Sequence, residues 1–348
     1  MKERLSADVF MIPVERIKKG FFTDSYFNRT REILLRDGNH ARVLMQVFCR
    51  DDCVLCGIDE ALAIVRRCAD NPDDLLIYAL HDGDRVMKGE TVLTIEGEYA
   101  HFAHLETVYL GVLARGTSVA TSVHEVVQAA DDRTVLFFAS RFDHYLVQSF
   151  DGYAAHIGGA QAVSTDANGS FWGEWGVGTI PHGLIAAYGG DTLEACRAFR
   201  KHVPEEINLI ALVDFWNDCI GTSIEVARHF GRQLWGVRLD TAGDLRDVSV
   251  TGRGADSFGV NPELVSMLRE TLDREGFPWV RIVVSGGFIR EKVERFVEQK
   301  VPFDAVGVGS AFFSKRVDFT ADVVQVDKKP LAKVGRSLKP NPRLKKVW

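Results

Sequence analysis

Two glycine-bearing strings, Ser285-Gly286-Gly287 and Gly307-Val308-Gly309-Ser310, each close an apolar run of the chain. Glycines at a strand end let successive backbone N–H groups converge, and a following helix offers its N-terminus to the same point. Two such loops could grip one phosphate between them, with the Ser310 hydroxyl as a further donor. The plainer alternative is that the glycines only make tight turns. Arg238 and Asp240 lie two apart at the end of LWGVRLD, so alternation sends both to one side of a strand. Charges facing packed helices need costly pairing, which favours a mouth position over a structural Arg–Asp pair. There Arg238 could hold a carboxylate or phosphate bidentately. Asp240 could accept from ribose hydroxyls or help to hold Mg²⁺.

His182 stands in GVGTIPHGL, between a glycine-rich loop and an apolar run. An imidazole there suits proton or phosphoryl transfer, and a structural histidine is the alternative. Thr179 shares that loop. Arg141 comes after the run TVLFFAS, while Arg115, His104 and Glu106 belong to or border a long helical stretch. Phe171, Trp172 and Trp175 could wall a planar ligand, or simply pack in a core. Tyr26, in TDSYF near the N-terminus, is either a site residue or a hairpin anchor. Cys53 and Cys56 form a CxxC pair with no second pair to complete a zinc site. Ordinary reduced thiols are therefore expected, with no protein-held metal.

These residues need strands and helices to position them. The runs TVLFFAS (134–140), INLIALVDF (207–215), LWGVRLD (234–240), VRIVVSG (280–286) and FDAVGVGS (303–310) are too continuously apolar for a half-wet sheet. Helical periodicity falls between them, over Thr192 to His202, Thr222 to Phe230, Pro262 to Arg274 and Ile289 to Gln299. Repeated strand–helix units predict a parallel sheet curled into a barrel or partial barrel, with a doubly wound open sheet as the alternative; in a barrel function gathers at the C-terminal strand ends. Before residue 130 the rhythm differs. It gives a strand over 41–49, a helix over 57–68, a small β unit around Asp82-Gly83 and Lys88-Gly89, and a long helix broken at Gly116. The expected parts are an N-terminal α/β unit with a small sandwich-like section (1–130), an α/β barrel carrying the phosphate loops (131–320), and an extension (321–348) packing back on the first.

At 348 residues, with 46% hydrophobic and 26% charged residues, the chain has the make-up of a folded protein. A net charge of −6 removes the electrostatic case for a nucleic-acid or membrane surface. The chain has no apolar run of transmembrane length and a charged start without a signal-peptide core, so a cytoplasmic location is expected. GRGADSFGVNPE (252–263) lacks the spacing of a nucleotide loop.

Seven segments occur in one order along nearly the whole chain: TDSYFNRT (23–30), HLETVYLGVLARGTSVAT (104–121), FFASR (137–141), GTIPHGL (178–184), VRLDTAGDL (237–245), VVSGG (283–287) and GVGS (307–310). In this the sequence resembles the type II phosphoribosyltransferases, most closely nicotinate phosphoribosyltransferases of the compact bacterial and archaeal kind. The resemblance implies their irregular (β/α) barrel with a smaller α/β unit. It also implies transfer of phosphoribosyl from phosphoribosyl pyrophosphate to nicotinate in NAD biosynthesis, with Mg²⁺ and with ATP acting through a phosphohistidine at His182. By position it makes His182, Arg238 and Asp240 catalytic. It makes Tyr26, Arg115, Arg141, Thr179, Ser285, Gly286, Gly287, Gly307, Gly309 and Ser310 substrate-binding. It further implies a homodimer with shared sites, in which Tyr26 stacks on the pyridine ring. Departures occur at Gly111, where asparagine is usual, at FDHYL after FFASR, and at RLDTAGDL; no cysteine comes after Cys219. The alternatives are quinolinate or another heteroaromatic base, and a non-catalytic sensor of phosphoribosyl metabolites.

Overall fold

The run RVLMQVFC buries residues of both parities, so the strand it forms, β1 (Arg42–Cys49), must be covered on both faces. The computed structural model describes residues 4–252, 254 and 257–348; Met1–Glu3 and Arg253, Ala255 and Asp256 of the glycine-rich segment lie outside the described residues. Two compact units emerge. The first takes the chain up to His124, Tyr153–Gly158 and Phe313–Trp348; the second takes Glu125–Gly152 and Gly159–Phe312.

In the first unit β1 is joined by β2 (Cys53–Val54), β3 (Leu76–Ala79), β4 (Arg85–Val86) and β5 (Thr91–Glu98). The chain's last strands return here too: β12 (Phe319–Val326), β13 (Lys329–Pro330) and β14 (Lys345–Lys346). They form an antiparallel sheet in the order β13-β12-β1-β5-β3-β14, with β2 and β4 paired apart. The helix Ile58–Cys68 contributes Ile58, Leu62, Val65 and Cys68 to the core, beside Met45, Ile77, Leu93 and Tyr109. Each large apolar side chain so buried contributes about 1.5–3 kcal/mol. The helix Glu106–Ala130 is continuous, so the expected break at Gly116 does not occur. One glycine in a long buried helix costs only about 1 kcal/mol, which packing readily offsets. All six cysteines are free and buried.

The second unit holds β6 (Thr134–Phe137), β7 (Ala162–Val163), β8 (Leu209–Leu212), β9 (Leu234–Leu239), β10 (Arg281–Val284) and β11 (Ala305–Val308). Its sheet is parallel throughout, in the order β7-β6-β11-β10-β9-β8. β7 and β8 do not pair, so the sheet is an open, curled half-barrel, and the expected partial (β/α) barrel is borne out. Leu136, Val283 and Ala305 pack together, with Ala162, Ile210 and Trp235 against them, tying strands across the sheet. Helices Thr192–His202 and Pro262–Arg274 start on the side-chain caps of Asp191 and Asn261. The strands are shorter than their apolar runs, ending at residues 137, 212, 239, 284 and 308. Just past three of these ends one more backbone bond forms, from the N–H groups of Phe138, Val213 and Ser285, and the mouth loops begin beyond it.

Glycine at position 57 leaves the helix Ile58–Cys68 without a side-chain cap, because a Cβ there would lie 2.9 Å from the Val112 carbonyl. Asp82 substitutes: its Oδ1 accepts from the Ile58 N–H (2.9 Å) and its Oδ2 from the Tyr153 hydroxyl (3.2 Å). Burial, then Asp59, pushes the Asp82 carboxyl up to about 7. Burial and Asp82 push Glu60 up to about 7; burial, Asp322 and Asp24 do the same to Glu106, to about 7. Folding raises these values from near 4, so between about pH 4 and 7 the native state holds more protons than the unfolded chain. The associated stability is full below the unfolded-state pKa and is lost as pH rises through about 7. Urea denaturation should therefore give a higher midpoint at pH 6 than at pH 8, and Asp82→Asn should shrink that difference.

Candidate active site

The ladder between β9 and β10 pairs Leu239 with Val284 and ends in one further rung, the Ser285 N–H on the Leu239 carbonyl at 2.9 Å. That rung holds the two strand ends side by side. Ser285 Oγ lies 2.7 Å from Asp240 Oδ1 and 3.1 Å from the Leu239 carbonyl. Alternation puts Arg238 and Asp240 on one side as expected, with Arg238 Nη2 and Asp240 Oδ2 3.6 Å apart. The Arg238 side chain is only 15% exposed, and its Nε has no hydrogen-bond partner. Burial lowers its pKa most; Asp240 and Asp214 oppose that, and Arg141 adds to it by repulsion. A largely buried guanidinium with a free N–H beside a second cation has unspent affinity for an anion.

His182 begins the short helix His182–Ala187 and is held by Asp214, a residue given no site role above. Its Nε2 sits 3.2 Å from both carboxylate oxygens of Asp214. Asp214 lies just past β8, where Val213 N–H donates to the Arg238 carbonyl at 3.1 Å. It is 7% exposed, and burial raises its pKa, with His182 lowering it and Asp240 raising it. The sequence does carry a signal for it: Asp214 comes near the end of the run INLIALVDF, as Asp240 closes LWGVRLD. Thr179 is half-buried, its Oγ1 3.4 Å from the Ile180 carbonyl.

The two glycine loops differ in why they need glycine. Gly286 and Gly287 have φ of +86° and +67°, a left-handed region that side chains disfavour. Among the described residues the N–H groups of Gly286, Gly287 and Phe288 reach no protein acceptor. At Gly307 and Gly309 space decides instead. A Cβ would lie 2.4 Å from the Phe138 ring and 2.5 Å from the Phe142 ring, respectively. Ser310, exposed, opens the turn Ser310–Phe313. Arg141 is exposed in the turn Ser140–Phe142, with its guanidinium 5.6 Å from the Phe142 ring centre. That turn is fastened by Ser140 Oγ to Asn168 Oδ1 at 2.5 Å, and the Asn168 amide donates to the Gln148 carbonyl at 2.8 Å.

The second unit therefore brings Arg238, Asp240, Ser285, Asp214 and His182 into one chain of contacts, with Arg141 felt by Arg238. Tyr26 and Arg115 belong to the first unit. Tyr26 is 58% exposed on the helix Ser25–Arg36, and Arg115 lies with its guanidinium 4.7 Å from the Phe313 ring centre. Trp175 is exposed. No group of three or more His, Cys, Asp or Glu among the described residues is arranged to hold a metal ion.

Two family models match the chain: the N-terminal domain of quinolinate phosphoribosyl transferase over residues 24–117, and its C-terminal domain over residues 119–322. The crystal structure of nicotinate-nucleotide pyrophosphorylase from Pyrococcus furiosus is 34% identical, with a TM-score of 0.81, over 97% of this chain and 82% of that one. A nicotinate phosphoribosyltransferase from Mycobacterium tuberculosis is 29% identical over 72% of this chain and 54% of its own length. A probable carboxylating nicotinate-nucleotide pyrophosphorylase from Bacillus subtilis is 28% identical over 44% of this chain and 51% of its own. The chain thus spans about half the length of the curated relatives it matches.

The Gly307→Ala variant should lose about 1–3 kcal/mol of stability by overpacking against Phe138. Urea denaturation measures this, with Gly243→Ala, where a Cβ would have nothing within 4 Å, as a control expected to change little.

Proposed function

The chain belongs to the quinolinate phosphoribosyl transferase family, and on that premise we propose that it transfers phosphoribosyl from phosphoribosyl pyrophosphate to quinolinate. Membership corrects the expected assignment to the nicotinate phosphoribosyltransferases, both as a family and as an activity: family models for both quinolinate domains cover residues 24–117 and 119–322. The physical reason is that the motifs behind the expectation, VRLDTAGDL, VVSGG and GVGS, are strand ends suited to a sugar and a phosphate. Those parts of the substrate do not distinguish one pyridine acid from another. The ATP-driven phosphohistidine came with the nicotinate resemblance and is withdrawn with it.

In the proposed reaction the pyridine nitrogen bonds to ribose C1 as the bond from C1 to pyrophosphate breaks. Carbon dioxide then leaves the ring carbon beside the now positive nitrogen, and a proton takes its place, giving nicotinate mononucleotide. The observation carrying this reading is the largely buried Arg238, with its unpartnered Nε and the repulsion of Arg141. Two cations kept close at a cost suit a ligand with two carboxylates. Asp240, oriented by Ser285, would accept from the ribose hydroxyls. The free N–H groups of Gly286, Gly287 and Phe288, with Ser310 opposite, would take the 5-phosphate. His182, held by Asp214, would supply the proton.

Because the described residues make no cluster of three or more metal-ligating side chains, Mg²⁺ is read as part of the substrate, carried on its pyrophosphate. Among the described residues no helix is long and apolar enough to cross a membrane. A homodimer is proposed as well, supported by the helix Ser25–Arg36. It buries none of its residues and exposes Tyr26 and Ile33, and Phe21 just before it in the chain is exposed too.

Pyrophosphate and carbon dioxide release, measured together with quinolinate or nicotinate, test the proposal. Equal amounts of both products with quinolinate are expected; pyrophosphate release with nicotinate alone would sink it. Arg238→Ala should lower kcat/KM for quinolinate roughly a hundredfold, the scale of a charge-assisted hydrogen bond of about 3 kcal/mol. Asp240→Ala should cut turnover severely while the urea midpoint stays near that of the wild type; near-normal turnover removes Asp240 from the site.

A further inference from the structure

Lys292 is an oddity of the second unit. It is the third residue of the helix Arg290–Glu298, yet its amine turns back rather than out to water. Nζ lies 4.2 Å from the ring centre of Phe288 and 6.0 Å from that of Phe296, two rings packed edge to face. It donates to the Gly286 carbonyl at 3.4 Å and pairs with no carboxylate among the described residues. Burial, and then Arg295, pull its pKa down to about 8. Placing an ammonium there costs stability, so its one hydrogen bond invites a functional explanation.

The partner of that bond supplies it. In a trans peptide the carbonyl of Gly286 and the N–H of Gly287 point in opposite directions. Both residues are glycines with positive φ, and neither has a side chain to resist rotation of the peptide between them. Left alone, this peptide could turn its carbonyl toward the anion and its N–H away. We infer that Lys292 is a positioning residue: by holding the Gly286 carbonyl on its own side, it keeps the Gly287 N–H directed at the phosphate of the bound sugar. The inference rests on the phosphate role proposed above for this loop. It adds a residue the glycines require, since the freedom that lets them fit an anion also lets them misdirect it.

Binding of ribose 5-phosphate, monitored by calorimetry, tests the inference apart from turnover. Lys292→Met keeps an apolar stem between Phe288 and Phe296 but removes the donor; its ribose 5-phosphate affinity should fall about tenfold, the effect of one hydrogen bond. Quinolinate affinity should stay close to that of the wild type, and the urea midpoint should not fall, since the buried ammonium is gone. Lys292→Arg, which can still reach the carbonyl, should recover most of the loss. Unchanged ribose 5-phosphate affinity in Lys292→Met overturns the inference, as does a wild type that binds no ribose 5-phosphate. If Lys292→Met fails to fold, Lys292→Leu, which also lacks a donor, takes its place, and wild-type affinity in that variant counts equally against the idea. Absence of quinolinate turnover alongside an intact Lys292 effect would overturn the proposed reaction and leave this inference standing.

Discussion

A single rung of backbone hydrogen bonding, from Ser285 N–H to the Leu239 carbonyl at 2.9 Å, sets the working end of the second unit. Parallel strands in register stop at nearly the same level, so the residues just beyond them share one rim. Here the rung holds Asp240 within 2.7 Å of Ser285 Oγ and leaves the next three N–H groups unclaimed. The neighbouring strand β8 is fastened through the Arg238 carbonyl, which delivers Asp214 and, through it, His182. Remove the common level of the strand ends and none of these side chains would meet.

The rim is electrostatically unfinished. Arg238 is largely buried with a free Nε and repelled by Arg141, while the like charge of Asp240 adds to the burial that raises Asp214. Groups held this way in the free protein are stabilised by a ligand that satisfies them, and an anionic ligand with hydroxyls does so on both counts. Glycine serves the same rim in two different ways. At 286 and 287 it permits a backbone that other residues would strain, and at 307 and 309 it makes room for aromatic rings that wall the strand ends.

The first unit obeys a different constraint. Its antiparallel sheet recruits the end of the chain to pair beside its beginning, and three of its carboxyl groups are raised toward neutrality by burial. Asp82 shows why such a group is kept: it caps a helix whose own N-cap position must be glycine for lack of space.

Local patterning by itself determined the element order and the architecture. Helices Thr192–His202 and Pro262–Arg274 are legible to the residue, because caps and periodicity are encoded within a few positions. The shared side of Arg238 and Asp240 is legible too, since strand alternation is a local rule. Tertiary structure decided what lies between distant segments: Asp214 against His182, Ser285 against Asp240, and Lys292 against Gly286. It also decided that Gly116 would not break its helix, because burial outweighs propensity there. Short motifs point to the wrong family for a related reason. Strand-end strings report the part of a ligand that neighbouring families hold in common, whereas the two domain-long patterns integrate packing along nearly the whole chain. Sequence spacing describes what one segment can do, and only packing in three dimensions settles which segments do it together.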